Sequence, residues 1–186
     1  LELLDNLISS YQVTDAINVH AILKEKKKEV SEDLRQNLLE LVAFHNEEDA
    51  EEEGYEARGA LKAEPPQWKT GGLAEQLYSE GGVASPQARL ALLLGYSKFG
   101  NKKGALQMWE ECKANQDPLP LEAYHAYLNC FNMQGVEKTL VVVKETLAEI
   151  QSANLLPNTE TLVSVLKVLM ATSQGPEHQQ SCQYAL

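Results

Sequence analysis

Four histidines, three cysteines and a dense run of carboxylates are the residues of this 186-residue chain best equipped for chemistry. His20, His45, His125 and His178 lie far apart, whereas a structural metal site needs several ligands that converge. The nearest approach to one is His45 with Glu47 and Glu48, a pattern that reads as a helix end followed by a solvated loop. Cys112, Cys130 and Cys182 are odd in number, widely spaced and free of any C-x-x-C pair. They predict a reducing compartment, with the first two acting as small apolar side chains in helical patterns. The chain has no nucleophile elbow, no glycine loop to cradle phosphate and no His/Cys/Asp arrangement. It is read as non-enzymatic, with no catalytic residue, no metal and no cofactor.

Charge and one aromatic remain as recognition chemistry. Lys plus Arg number 16 against 27 Asp plus Glu, a net charge of −11. Six of those acids lie from Glu47 to Glu53, within "NEEDAEEE", so the remainder is only mildly acidic. The run reads first as a solvating linker and second as a binder of a cation or a basic protein. The one basic cluster, "KEKKKE" over 24–29, sits at a predicted helix C-terminus, where cations suit the helix dipole. A phosphate contact is its second reading. Trp68, in "PPQWKT", either packs back onto the neighbouring helices or anchors a partner.

The elements that position these residues are helices with a repeat. Residues 86–120 laid over 121–155, an offset of 35, match Ala88 with Ala123, Leu93 with Leu128, Tyr96 with Phe131 and Gly100 with Gly135. A third copy opens at Thr159, 38 residues after Leu121, and pairs Leu128 with Leu166 and Phe131 with Leu169. The three extra residues fit as an added turn in "GVEKTLVVVKETLAEIQSANLLP". Ser85-Pro86 supplies a cap and a first-turn proline. Gly100-Asn101 breaks the pattern between two helices, and Asp117-Pro118 with Pro120 ends the second. Toward the N-terminus, residues 1–45 predict a helical pair and the opening of another, with Ser31 as cap. Residues 46–71 lose all periodicity and predict a linker or inserted loop. Residues 72–186 resume the repeats. Each unit alone cannot bury its apolar face, so stacking is required. The chain starts at Leu1 inside one apolar pattern and stops at "CQYAL" inside another, which reads as a piece of a longer protein.

"GYSKFGNKKGALQMWEECKAN" at a period near 35 resembles the pentatricopeptide repeat. Lys98, Gly100, Ala105, Trp109 and Pro118 or Pro120 match that family's pattern, and Tyr124, Leu128, Gly135 and Pro157 match it one unit later. Thr139 stands where the second-helix Ala belongs. The tetratricopeptide repeat is the competitor, but its period is shorter by one and its W-x-x-L-G-x-x-Y signature is absent. Within the pentatricopeptide family the chain is most similar to the C-terminal half of the leucine-rich animal members. The resemblance implies an all-α solenoid of helix-turn-helix repeats with a long acidic loop. It also implies a mitochondrial matrix location, single-stranded message as ligand, a small RRM-type protein partner, and a role in message stability.

In such repeats a polar residue early in the first helix and the last residue of the unit contact one base. The resemblance therefore carries over to Leu90 with Pro120, which offer no polar side chain, and to His125 with Asn158, which do. Asn37 with Ser85 fits by residue type in the interrupted unit. Arg89, Lys98, Lys102 and Lys103 are the nearest candidates for phosphate contacts, against a plain reading as a solvated rim. Two functions stay open: an RNA-holding segment, and a protein-interaction scaffold that the net charge favours. No membrane and no small-molecule substrate are expected.

Overall fold

A computed structural model describes residues 1–47, 67–80, 85–131 and 136–172. The acidic run beyond Glu47, Gly81-Gly82, Gly135, His178 and Cys182 lie outside the described residues. Nine helices are found among those described: α1 (Glu2–Ser9), α2 (Val13–Glu25), α3 (Glu32–His45), α4 (Leu73–Glu80), α5 (Pro86–Lys98), α6 (Lys102–Ala114), α7 (Leu121–Cys130), α8 (Val136–Ser152) and α9 (Thr159–Thr172). The fold is all-α and built from helical repeats, as the periodicity predicts. No helix among the described residues is long and apolar enough to cross a membrane.

The starts and stops of these helices follow local chemistry. Ser31 Oγ accepts from Leu34 N–H at 3.4 Å, and Ser85 Oγ from Ala88 N–H at 3.0 Å, with Pro86 as the first helical residue. Asn158 Oδ1 accepts from Thr161 N–H at 3.0 Å, while Thr161 Oγ1 accepts from Asn158 N–H at 3.1 Å. That reciprocal pair is a capping box with Thr in the third position. At the other ends, Tyr11, Lys27, Gly100, Gln116 and Asn154 all adopt positive φ. In each case the next N–H reaches back to the last turn, as in Gln12 to Leu7 O and Asn101 to Tyr96 O. This is the Schellman closure, repeated from helix to helix.

The chain forms two compact units, Leu1–Asn101 and Lys102–Leu186. The three-part division expected above placed 72–101 with the C-terminal repeats, whereas packing groups α4 and α5 with the N-terminal helices. In the first unit α3 is central, against α1, α2, α4 and α5. It buries Leu34, Leu38, Leu39, Leu41, Val42 and Ala43, and each leucine contributes about 1.5–3 kcal/mol by leaving water. Gly95 permits the close packing of α3 with α5. A Cβ there would lie 2.7 Å from Ala43 O and 2.9 Å from the Trp68 ring.

In the second unit α7 packs against α6, α8 and α9. Leu128, Val143, Val168 and Leu169 form its core, with Leu140, Leu147 and Val165 against them. Trp109 stacks on Tyr127 at 4.4 Å and meets Tyr124 edge-on. The repeat register is visible in burial. Ala88, Ala123 and Thr161 stand third in their helices and are all buried, as are Ala105 and Thr139 in the second helices. The added turn falls in α8, with 17 residues against 13 in α6.

Candidate functional site

Register decides which residues stand at the positions where base contact was expected. The fifth residues of α1, α3, α5, α7 and α9 are Asn6, Gln36, Leu90, His125 and Val163. The residue of α3 level with Leu90 and His125 is Gln36, one before the expected Asn37. One position is about 100° around a helix, which separates the two side chains. Ser85 Oγ donates to Gln36 Oε1 at 2.8 Å, and Gln36 Nε2 donates to Glu40 Oε1 at 2.8 Å. Asn37 instead lines a shallow cleft of about 300 Å³ with Glu2, Asp5 and Asp33. Three carboxylates there oppose the approach of a phosphodiester. Counting from cap to cap, Ser31 to Ser85, is the sequence signal that identifies Gln36.

The second expected pair is brought together. His125 Nε2 lies 2.8 Å from Thr161 Oγ1, which is bonded in turn to Asn158. The polar edge of this pair is spent within the fold, and His125 is 3% exposed. Leu90 and Pro120 remain without polar side chains, as their types dictate.

The cations divide. Arg89 is buried at 7% exposure, so the phosphate contact expected of it is not offered by this placement. Lys98 Nζ donates to Phe44 O at 2.9 Å and sits 3.7 Å over the Phe44 ring. It closes the C-terminal end of α3, where a cation suits the dipole, and burial holds its ammonium below the usual lysine range. Lys102 and Lys103 are exposed at the start of α6, as are Lys26, Lys27 and Lys28 after α2.

Trp68 takes the packed alternative. It is 9% exposed, edge-on to Tyr96 at 4.6 Å, and its backbone N–H donates to Phe99 O at 3.1 Å. Its indole Nε1 donates to Glu75 Oε1 at 2.8 Å, and Tyr96 OH donates to the same oxygen at 2.9 Å. Gly71 N–H donates to Glu75 Oε2 at 2.7 Å. Burial alone would raise the Glu75 pKa, but these three donors outweigh it and hold the carboxyl below its ordinary value. Buried Asn46, in the left-handed conformation that ends α3, receives Lys69 N–H at 2.9 Å and donates to Gln67 O at 2.8 Å. Glu47 accepts from Leu73 N–H. Residues 67–73 are thus clamped onto α3 and α5. Among the described residues no group of three or more His, Cys, Asp or Glu is placed to hold a metal. Cys112 and Cys130 are buried and are not joined in a disulfide.

A family model described as small ribosomal subunit protein mS39, PPR, matches residues 1–101. The matched residues coincide with the first compact unit. The chain is also 33% identical over 175 residues to the small ribosomal subunit protein mS39 of Drosophila melanogaster, in an alignment covering 89% of this chain. The chain spans 27% of the length of that relative. The family model carries the pentatricopeptide assignment, and both matches name a ribosomal protein rather than the leucine-rich members.

Proposed function

The chain belongs to the family described as small ribosomal subunit protein mS39, PPR, and on that premise we propose that it is the part of a mitochondrial ribosomal protein that holds unpaired RNA. The observation that carries this reading is the coincidence of the family match with the first unit, which keeps an exposed amide–hydroxyl pair at the recognition register. Asn6 stands fifth in α1, Ser31 precedes α3, and both are exposed; Ser31 caps α3 and shares the acidic cleft with Glu2, Asp5 and Asp33, so contact there is to a base edge and the phosphates are left to the lysines. Lys26, Lys27 and Lys28 are exposed in the same unit and supply cations for phosphate. Leu90 and Pro120 contribute no base contact, and Gln36 with Ser85 must exchange an internal bond for one to RNA. The finer expectations belong to the same proposal: the mitochondrial matrix, support of message stability, and a small RRM-type protein partner.

The test is fluorescence-anisotropy binding of the chain to short single-stranded RNAs over a salt series. Replacing Lys26, Lys27 and Lys28 with Ala lowers affinity for every RNA and flattens the salt slope by about one unit per lost contact. Asn6→Ala costs about 1–3 kcal/mol at one base and relaxes selectivity there. No binding at low salt overturns the reading.

A second reading, a protein-interaction scaffold, is favoured by the internal consumption of the Gln36–Ser85 and His125–Asn158 pairs. The net charge of −11 points the same way.

A further inference from the structure

One face of α9 carries apolar side chains that its counterparts bury. The first helices α3, α5, α7 and α9 share a register, and their eighth residues are Leu39, Leu93, Leu128 and Leu166. Leu39, Leu93 and Leu128 are fully buried, whereas Leu166 is only partly so. The fourth residue of α7, Tyr124, is buried, and its counterpart in α9, Leu162, is 55% exposed. The twelfth residue of α3, Ala43, is buried, and its counterpart, Met170, is 68% exposed. These are the positions that receive the following first helix. Leu128 packs with Val165, Val168 and Leu169 of α9. Ala43 meets α5 so closely that a Cβ at Gly95 would stand 2.7 Å from the Ala43 carbonyl oxygen.

We infer that this face of α9 is the seat of a further repeat carried by the same polypeptide, and that the occupant is the first helix of that repeat. Leu162, Leu166 and Met170 are spaced four residues apart, which places them in one stripe along the helix. Thr159, Glu160 and Lys167 hold other exposed positions of α9. A helix that turned the stripe to water would carry such polar types along it as well. Continuity with the contacts already formed identifies the occupant. The α3–α5 and α7–α9 contacts use the same register positions on the receiving helix. The surface that fits the stripe is therefore the one α5 and α9 themselves present, with small or apolar residues at the seventh, tenth and eleventh places. These are Leu92, Gly95 and Tyr96 in α5, and Val165, Val168 and Leu169 in α9. Repeats of this kind bury their apolar faces by stacking on neighbours. One repeat length after Thr159 falls beyond Leu186. The Drosophila relative, of which this chain spans 27%, is long enough to hold such a unit. The inference goes beyond the RNA-holding reading and does not depend on it.

The experiment compares the 186-residue chain with the full-length protein that carries it, each with Leu162→Cys or Lys167→Cys. Maleimide labelling is followed peptide by peptide in mass spectrometry. Both sites are exposed, so neither change disturbs the fold of the shorter chain. Lys167 is ninth in α9, and its counterparts Glu40 and Asn129 are exposed in helices that do receive a neighbour, or lie beside one. In the 186-residue chain the two cysteines are expected to react at similar rates. In the full-length protein Leu162→Cys is slowed by about tenfold or more, and Lys167→Cys is unchanged. Hydrogen exchange of the unsubstituted proteins is the second readout, with α9 amides exchanging more slowly in the longer one. Equal reactivity of Leu162→Cys in both chains, with unchanged exchange, overturns the inference. So does protection already present in the 186-residue chain, whether it is lost on dilution, as with a second copy, or persists, as with cover by residues 173–186. Protection that appears only after assembly with other proteins also overturns it.

Discussion

Two polar clusters, one in each compact unit, differ in how completely they close. Around Trp68 the Glu75 carboxylate takes three donors, and both ends of the Asn46 amide are bonded. Around His125 the Thr161 hydroxyl and Asn158 are bonded, but the ring's second nitrogen is left facing a carboxylate. A saturated cluster is fully accounted for by holding residues 67–73 in place. The second leaves one buried nitrogen facing a carboxylate at 3.7 Å, beyond hydrogen-bond distance. The difference teaches that how completely a buried polar group is bonded, more than its residue type, decides how firmly it fixes its neighbours.

The largest effect that sharpens this comparison is in the saturated cluster. Trp68→Ala removes a buried indole and a donor to Glu75, and is expected to cost the first unit about 3–5 kcal/mol in urea denaturation. Trp68→Phe keeps most of the apolar contact and costs about 1 kcal/mol, the net worth of one hydrogen bond. Equal, small losses would break the account of Trp68 as a keystone.

Next is the unsaturated cluster. Thr161→Val keeps the shape but leaves His125 Nε2 and the Asn158 N–H unpaired. It should destabilise the second unit by about 1–3 kcal/mol. The same change frees the ring's tautomer, which histidine nitrogen shifts report. An unaltered tautomer would show that Thr161 does not set it.

The smallest effect is acid dependence. The Glu75 carboxyl is held below its ordinary value in the fold. Its stabilisation is therefore complete above the unfolded value, about 4.3, and is lost as pH falls through the lower folded value. Hydrogen-exchange protection of the Gly71 amide should fall over that window, and Glu75→Gln should remove the dependence. Protection that persists in acid would detach Gly71 from Glu75.

Much of the fold was legible because its signals are local. Ser85-Pro86 and Ser31 begin helices where their side-chain oxygens meet an N–H three residues on. The Ala88, Ala123 and Thr161 positions mark the buried third residue of a first helix. The candidate site was less legible. His125 and Asn158 both bond to Thr161, which nothing in their spacing foretold. Asn37 was paired with Ser85 by counting across an interruption, and the side chain that meets Ser85 is Gln36, one residue before it. Arg89 and Lys98 have the residue types that bind phosphate, but burial and the Phe44 carbonyl claim them.

Helix periodicity, caps, the repeat near 35 residues and the acidic balance all follow from neighbours along the chain, and the amino-acid order alone determined them. The closing of Trp68 onto Tyr96 and Glu75, the bond between Ser85 and Gln36, and the orphaned nitrogen of His125 were decided only in the tertiary structure. Each depends on which side chains distant in sequence share a buried space. There, hydrogen bonds are allotted by geometry among competing donors and acceptors, and residue type sets only who can compete.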